Sequence, residues 1–164
     1  MRIAGLVQDS IVDGPGFRFV VFAQGCKKRC ERCHNPDTWD IDGGEEMGID
    51  EIIHEMLSNP LTDGLTISGG EPFLQAMDCA KLAKAAKEKG LNVWVYSGYT
   101  YEELTGSDDI VDALGLLELT DVLVDGAYIH DERTSELRWR GSRNQRVIDV
   151  PRSMESGKTV LIDL

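Results

Sequence analysis

The sequence predicts a single α/β domain around a mainly parallel sheet, open or curled into a barrel, and three observations carry that expectation. Short runs rich in β-branched and aromatic residues alternate with stretches of helical periodicity, as in βαβ units. Four of the runs are followed at once by polar segments that contain glycine. The chain has 164 residues, 41% of them apolar and 28% charged, which is ordinary globular usage over about one domain's length. No repeat, low-complexity tract or Pro/Ser-rich linker divides it, so residues 1–164 read as one domain.

Taken in order, residues 3–7 read as a strand that crosses the turn-prone Asp13-Gly14-Pro15-Gly16 to a partner at residues 17–24. Residues 65–68, 91–96 and 121–124 are apolar runs too short for helices and read as buried strands. The clearest helix spans residues 72–89, where Cys79, Leu82, Ala83 and Ala86 recur at helical spacing while lysines take the other face. Pro72 stands near its start and Gly90 just past its end. Residues 49–57 and 110–119 add further helices, and residues 147–150 and 159–162 add one or two terminal strands.

Seventeen basic against twenty-nine acidic residues leave a net charge of −12, which opposes nonspecific attraction to nucleic acid or anionic lipid. No apolar stretch approaches the roughly 20 residues of a membrane span, and residues 1–10 turn polar before a signal-peptide core forms. The expectation is a soluble, cytoplasmic protein without nucleic-acid or membrane partners. Charge is unevenly spread, however. Residues 90–132 contain no Lys or Arg, whereas Lys27, Lys28, Arg29 and Arg32 crowd one cysteine group, as if something anionic sits there.

That group is Cys26, Cys30 and Cys33, a C-x3-C-x2-C arrangement. Three of the four cysteines within eight residues do not read as a disulfide framework; they read as metal ligands. Structural zinc takes four ligands, no second C-x2-C pair exists, and His34 lies too close for regular finger spacing. A four-iron four-sulfur (4Fe-4S) cluster held by three cysteines leaves one iron open to an outside ligand. A noncatalytic zinc or electron-transfer module stands as the alternative. Cys79, on the apolar stripe of its helix, reads as an inert buried thiol. The strand-end segments Gln24-Gly25-Cys26, Ser68-Gly69-Gly70-Glu71, Tyr96-Ser97-Gly98-Tyr99 and Val124-Asp125-Gly126-Ala127 belong on one face of a parallel sheet, where sites are built.

Cys26, Cys30 and Cys33 followed by Gly69-Gly70-Glu71 resemble the radical S-adenosylmethionine (SAM) superfamily. Val12-Asp13-Gly14-Pro15-Gly16-Phe17-Arg18, Cys33-His34-Asn35-Pro36-Asp37-Thr38-Trp39 and Ser68-Gly69-Gly70-Glu71-Pro72 look like glycyl-radical activating enzymes. The small size and Arg140-Gly141-Ser142-Arg143-Asn144-Gln145-Arg146 look most like the group that acts on anaerobic ribonucleoside-triphosphate reductase. The resemblance covers nearly the whole chain.

It implies an incomplete parallel (βα) barrel of radical SAM type, since a full eight-unit barrel typically takes about 250 residues. It implies an oxidoreductase in which Cys26, Cys30 and Cys33 hold a 4Fe-4S cluster with an open fourth iron, and no catalytic group beyond that cluster. The open iron chelates SAM, electron transfer gives methionine and a 5′-deoxyadenosyl radical, and that radical takes hydrogen from a glycine of a large partner. An electron donor such as flavodoxin or ferredoxin is implied as well.

The resemblance assigns cofactor contacts to Arg32, Cys33, His34, Gly69, Gly70, Glu71, Ser97 and Asp125. Gly69 and Gly70 would let backbone carbonyls approach the SAM ammonium, with Glu71 as complementary charge; a carboxylate at a helix N-terminus is favourable without any ligand. Ser97 and Asp125 would meet the ligand carboxylate or ribose hydroxyls, while Arg32 and His34 would flank the adenine. Two departures from the family pattern stand out: Arg32 occupies a position often aromatic, and Asp125-Gly126-Ala127 lacks a Lys two positions after the Asp. Activation of another glycyl-radical enzyme, such as pyruvate formate-lyase, is the neighbouring alternative. The Gly-Pro-Gly turn needs no role beyond a hairpin, Arg18 none beyond a surface charge, and Trp39, Trp94 and Trp139 none beyond packing.

Overall fold

The computed structural model describes residues 1–164. Seven strands form one open, mixed sheet: β1 (Arg2–Ser10), β2 (Arg18–Ala23), β3 (Glu45–Glu46), β4 (Gly64–Gly69), β5 (Asn92–Tyr96), β6 (Val122–Asp125) and β7 (Arg146–Asp149), in the spatial order β3-β1-β2-β4-β5-β6-β7. The central β2, β4, β5 and β6 run parallel, while β1, β3 and β7 pair antiparallel at the two flanks. The expected parallel core is present, with antiparallel flanks and no closure.

Helices α1 (Ile49–Ser58), α2 (Ala76–Glu88), α3 (Tyr101–Gly106) and α4 (Ala113–Leu117) connect the parallel strands, and α5 (Val150–Ser156) follows β7. Strand alternation decides which residues meet them. Phe19 and Val21, Leu65 and Ile67, Val93 and Val95, and Leu123 share a 23-residue apolar core with Ile52, Met56, Leu82, Leu104 and Leu116 of the helices. Burying a leucine or isoleucine there is worth about 1.5–3 kcal/mol. The opposite strand face carries a small cluster of Trp94, Val122, Val124 and Val147 together with polar groups. That second face is where the chain places its chemistry.

Several local expectations need correction. The helix of residues 72–89 opens as a tight helical turn at Pro72–Gln75 before α2 begins, and Asp112 in the left-handed region shortens the one at 110–119 to α4. Residues 159–162 form no strand; Leu161 makes one bridge to Ile148 after the unexpected α5. Arg18 is not at the surface but wholly buried on the inner face. Its guanidinium donates to Thr66 Oγ1 at 3.0 Å, to the Leu65 carbonyl at 2.6 Å and to Asn92 Oδ1, and lies 5.8 Å from the Trp94 ring centroid. Burial lowers its pKa to about 10. Thr66 Oγ1 in turn donates to the Asp13 carbonyl, so the Gly-Pro-Gly turn is drawn over the inner face instead of projecting as a free hairpin. No helix is long and apolar enough to cross a membrane.

Candidate active site

The parallel register aligns the strand ends: Ala23 pairs with Gly69, Ile67 with Val95, and Tyr96 with Val124. Each chain then leaves the sheet at nearly the same level. Gly25, Gly69 and Gly126 all turn there with φ near +100° (98°, 96° and 100°), a region that L side chains avoid. All four strand ends contribute to one cavity of about 480 Å³, through Cys26, Gly70, Ser97 and Gly126 among others.

The cysteine loop is closed at its base by the Gly25 N–H donating to the Thr38 carbonyl (2.8 Å) and the Cys26 N–H donating to that of Trp39 (3.2 Å). Buried Gln24 clamps the returning chain by donating from Nε2 to the Asp37 and Asp40 carbonyls at 3.0 and 2.7 Å. Between these fixed ends Cys26, Cys30 and Cys33 are free thiols, half-buried, and all three line the cavity. They lie on one loop of its wall, and no set of three His, Cys, Asp or Glu side chains is gathered closely enough to hold a single metal ion. Three soft donors outside any disulfide, on one loop of the cavity wall, suit the corners of an iron–sulfur cluster. Burial pushes the Cys26 thiol up from its ordinary value, outweighing backbone donors at Lys28 and Arg29 that favour the thiolate. Cys79 stands apart, wholly buried in the helix core with its thiol directed at the Pro72 carbonyl, and burial pushes its pKa strongly upward.

Gly69 and Gly70 are needed by neighbouring backbone. A Cβ on Gly69 would lie 2.6 Å from the Ala23 nitrogen and oxygen, and one on Gly70 would collide with the Gly25 carbonyl. In place of side chains there are hydrogen bonds: Gly70 N–H donates to the Ala23 carbonyl and Glu71 N–H to that of Gly25, both at 2.8 Å. The strand end after β4 is thereby fastened to the residue before Cys26.

Glu71 is 1% exposed and caps the turn that precedes α2. Its Oε1 accepts from Phe73 N–H (3.1 Å) and Ser97 Oγ–H (2.9 Å), and its Oε2 from Gly98 N–H (2.8 Å). Burial raises its pKa to about 7 against those donors and nearby Lys28. One acceptor position on Oε2 stays free. Ser97 has spent its hydroxyl proton on Glu71 and accepts from Tyr99 N–H at 3.0 Å, so toward a ligand it offers an acceptor only. Lys28 Nζ sits 4.1 Å from the Tyr99 ring centroid and 3.8 Å from Glu103.

Of the other expected contacts, His34 lines the cavity with its ring 4.4 Å from that of Tyr128. Arg32 does not line it; the residue is exposed, held outside by a left-handed backbone with φ 54°. Asp125 does not line it either. Its carboxylate is 1% exposed and taken by Arg146, whose Nε and terminal nitrogen donate at 3.0 and 2.5 Å, and by Tyr101 N–H at 2.7 Å. Arg146 also grips Glu102 through two hydrogen bonds and holds its carboxyl down at about 2, so Asp125 anchors β6 to β7 and α3. Sequence reasoning missed Asp13, Tyr128, Arg133 and Trp139, which complete the cavity wall. The polar stretch after β6, with four arginines between Tyr128 and β7, was the available signal for the last three. Arg140, from the motif noted above, also lines the cavity with its Nε buried and unpartnered.

A protein-family profile described as a 4Fe-4S single cluster domain matches residues 12–148. The chain is 33% identical over 147 residues to the anaerobic ribonucleoside-triphosphate reductase-activating protein of Escherichia coli (strain K12), covering 84% of this chain and 91% of that one. To the protein of the same name from Vibrio cholerae it is 36% identical over 144 residues, with 82% and 89% covered. To the pyruvate formate-lyase-activating enzyme of Clostridium pasteurianum it is 40% identical over 134 residues, 76% of this chain but only 55% of that enzyme.

Proposed function

The chain belongs to the 4Fe-4S single cluster domain family, together with the glycyl-radical activating enzymes it matches, and from that premise we propose that it is the radical SAM activase of an anaerobic ribonucleoside-triphosphate reductase. The observation that carries this reading is the meeting, in one cavity, of three free thiols with the Gly69-Gly70-Glu71 strand end. Pyruvate formate-lyase activation is the second reading, favoured by the 40% identity to one such activator; the chain spans only 55% of that protein.

When bound, the cluster supplies the electron that divides SAM into methionine and a 5′-deoxyadenosyl radical, the species that takes a hydrogen atom from a glycine of the reductase. Cys26, Cys30 and Cys33 would hold the cluster as thiolates, three ligands for four irons. Glu71, which lines the cavity with one acceptor position free, would accept from the SAM ammonium, whose charge would favour the carboxylate over the acid that burial supports. Ser97 and Gly98 keep that carboxylate aimed, and Gly69 and Gly70 keep the strand end against the cysteine loop. His34 and Tyr128, packed on each other in the cavity wall, would border the adenine. Phe22, Tyr96 and Trp139 wall the cavity against water until the partner covers its mouth.

The one-sided helix layer and open sheet support an incomplete (βα) barrel of radical SAM type over residues 1–164. The same reading places the protein in the cytoplasm, where thiols stay reduced. Anaerobic reconstitution tests it. The protein takes up about four irons and, once reduced, converts SAM to 5′-deoxyadenosine; Cys30→Ala loses both properties and Cys79→Ala keeps them. Full SAM cleavage by Cys30→Ala would reject the ligand set.

A further inference from the structure

The charges that line the main cavity are unevenly satisfied. Its wall carries the carboxylates of Asp13 and Glu71 and the long cations Lys28, Arg133 and Arg140. Asp13 accepts from Ser10 Oγ–H, Glu71 from the donors given above, and Lys28 is held by Glu103 and the Tyr99 ring. Arg133 is exposed. Arg140 differs from all of these. It is partly buried, its Nε is cut off from solvent, and its guanidinium makes no hydrogen bond or ion pair within the chain, although Arg143 and Arg146 of the same stretch are both paired. A shielded guanidinium of this kind lacks its anion.

The turn that carries Arg140 is fastened on both sides. Trp139, just before it, holds φ 62°, a region that side-chain-bearing residues avoid. Just after it, Gly141 N–H and Ser142 N–H donate to Gln145 Oε1 at 2.8 and 3.2 Å, and Gln145 Nε2 donates to the Gly126 carbonyl at 3.0 Å. Asn144 Nδ2 donates to the Ala127 carbonyl at 2.7 Å. Arg140 is thereby tied to the chain leaving β6, whereas Glu71 follows β4, with β5 between them. The two residues expected to meet a ligand carboxylate have nothing to give it. Ser97 has spent its proton on Glu71, and Asp125 is itself an anion held by Arg146.

Resting on the SAM reading above, we propose that Arg140 binds the carboxylate of the SAM methionyl end. SAM carries a single anionic group, and the guanidinium fork matches a carboxylate with two parallel hydrogen bonds. With Glu71 accepting from the ammonium, the β4 and β6 sides of the cavity together recognise the two charges of an α-amino acid. The site then selects ligands that keep both charges.

The experiment measures equilibrium binding of SAM and of decarboxylated SAM to the reconstituted, unreduced protein. Arg140→Gln weakens SAM binding by about ten- to hundredfold, the range of a hydrogen bond to a charged group. It changes the binding of decarboxylated SAM by less than about twofold, the margin within which independent effects add. Arg140→Lys, which keeps the charge and loses the fork, gives an intermediate loss for SAM alone and keeps the test readable if the glutamine variant fails to fold. Arg138→Gln, at an exposed arginine of the same loop outside the cavity, changes neither ligand. Iron content stays at the wild-type level throughout. Equal weakening of both ligands overturns the proposal, since the arginine would then act on another part of SAM or on the fold. Unchanged SAM binding with a loss of reductase binding also overturns it, as does a fall in iron content, which would place the arginine on the cluster. Wild-type protein that takes up iron and binds neither ligand overturns the functional reading and this anchor with it.

Discussion

Replacing Gly70 by alanine tests the joint between the two halves of the site. The added methyl meets the Gly25 carbonyl oxygen head-on and lies 2.9 Å from the Gly25 carbonyl carbon and 3.0 Å from the Thr38 oxygen. All three are backbone atoms, so none can rotate away. Overpacking of this kind costs about 1–3 kcal/mol. Relief by moving Gly25 sacrifices the hydrogen bonds from Glu71 N–H and to the Thr38 carbonyl, each 2.8 Å long and each worth about 1 kcal/mol. The expected loss is about 2–4 kcal/mol. Gly90→Ala is the control, because Gly90 has φ +75° but nothing within 4 Å of the new Cβ, so only backbone strain of about 1–2 kcal/mol applies. Urea unfolding of the apoprotein compares the two, and iron uptake on reconstitution reads the effect on Cys26, the residue after Gly25. Gly70→Ala lowers both the stability and the iron uptake, while Gly90→Ala lowers only the stability. A Gly70→Ala protein that matches wild type in iron uptake and unfolds no earlier than Gly90→Ala would refute the argument.

Glu71 gives a pH dependence. Its folded pKa of about 7 lies above the ordinary 4.5, so between those values the folded chain binds a proton that the unfolded chain has released, and stability falls as pH rises through that window by about 3 kcal/mol. Glu71→Gln removes this component; urea titrations at pH 5 and pH 8 should show wild type losing more than the variant, and equal losses would contradict the burial argument. Arg18→Met leaves the Leu65 carbonyl, Thr66 and Asn92 without their donor, at about 1–3 kcal/mol for each acceptor left unsatisfied. The urea midpoint falls well below wild type, with Arg18→Lys in between; a midpoint unmoved in Arg18→Met would mean that the buried network carries no net stability.

The parallel centre was legible because β2, β5 and β6 are mainly apolar, because Leu65 and Ile67 alternate along β4, and because α2 carries its stripe at Cys79, Leu82, Ala83 and Ala86. What escaped depends on distant partners. β3 is two exposed glutamates that are strand only because Arg2 and Ile3 pair with them. The case of α3 is different, since Thr100 and Glu103 form a capping box that the sequence displayed. At the site, the placing of the cysteines and Gly69-Gly70-Glu71 on one cavity was legible because both segments leave the ends of parallel strands. The engagement of Asp125 was not legible because its partner Arg146 is twenty-one residues away. The exposed position of Arg32 was not legible, because it goes with a left-handed backbone that no neighbouring glycine announces. Arg18 was taken for a surface charge because its acceptors come from β4 and β5, which sequence order does not place beside it.

The proposed activity moves a radical onto a partner's glycine. Anaerobic incubation of the reconstituted, reduced protein with anaerobic ribonucleoside-triphosphate reductase and SAM, followed by electron paramagnetic resonance, tests it most directly. The account predicts a glycyl signal on the reductase that grows with 5′-deoxyadenosine and is absent with Cys33→Ala. Iron-loaded, reduced protein that leaves SAM intact and the reductase without a signal would contradict it.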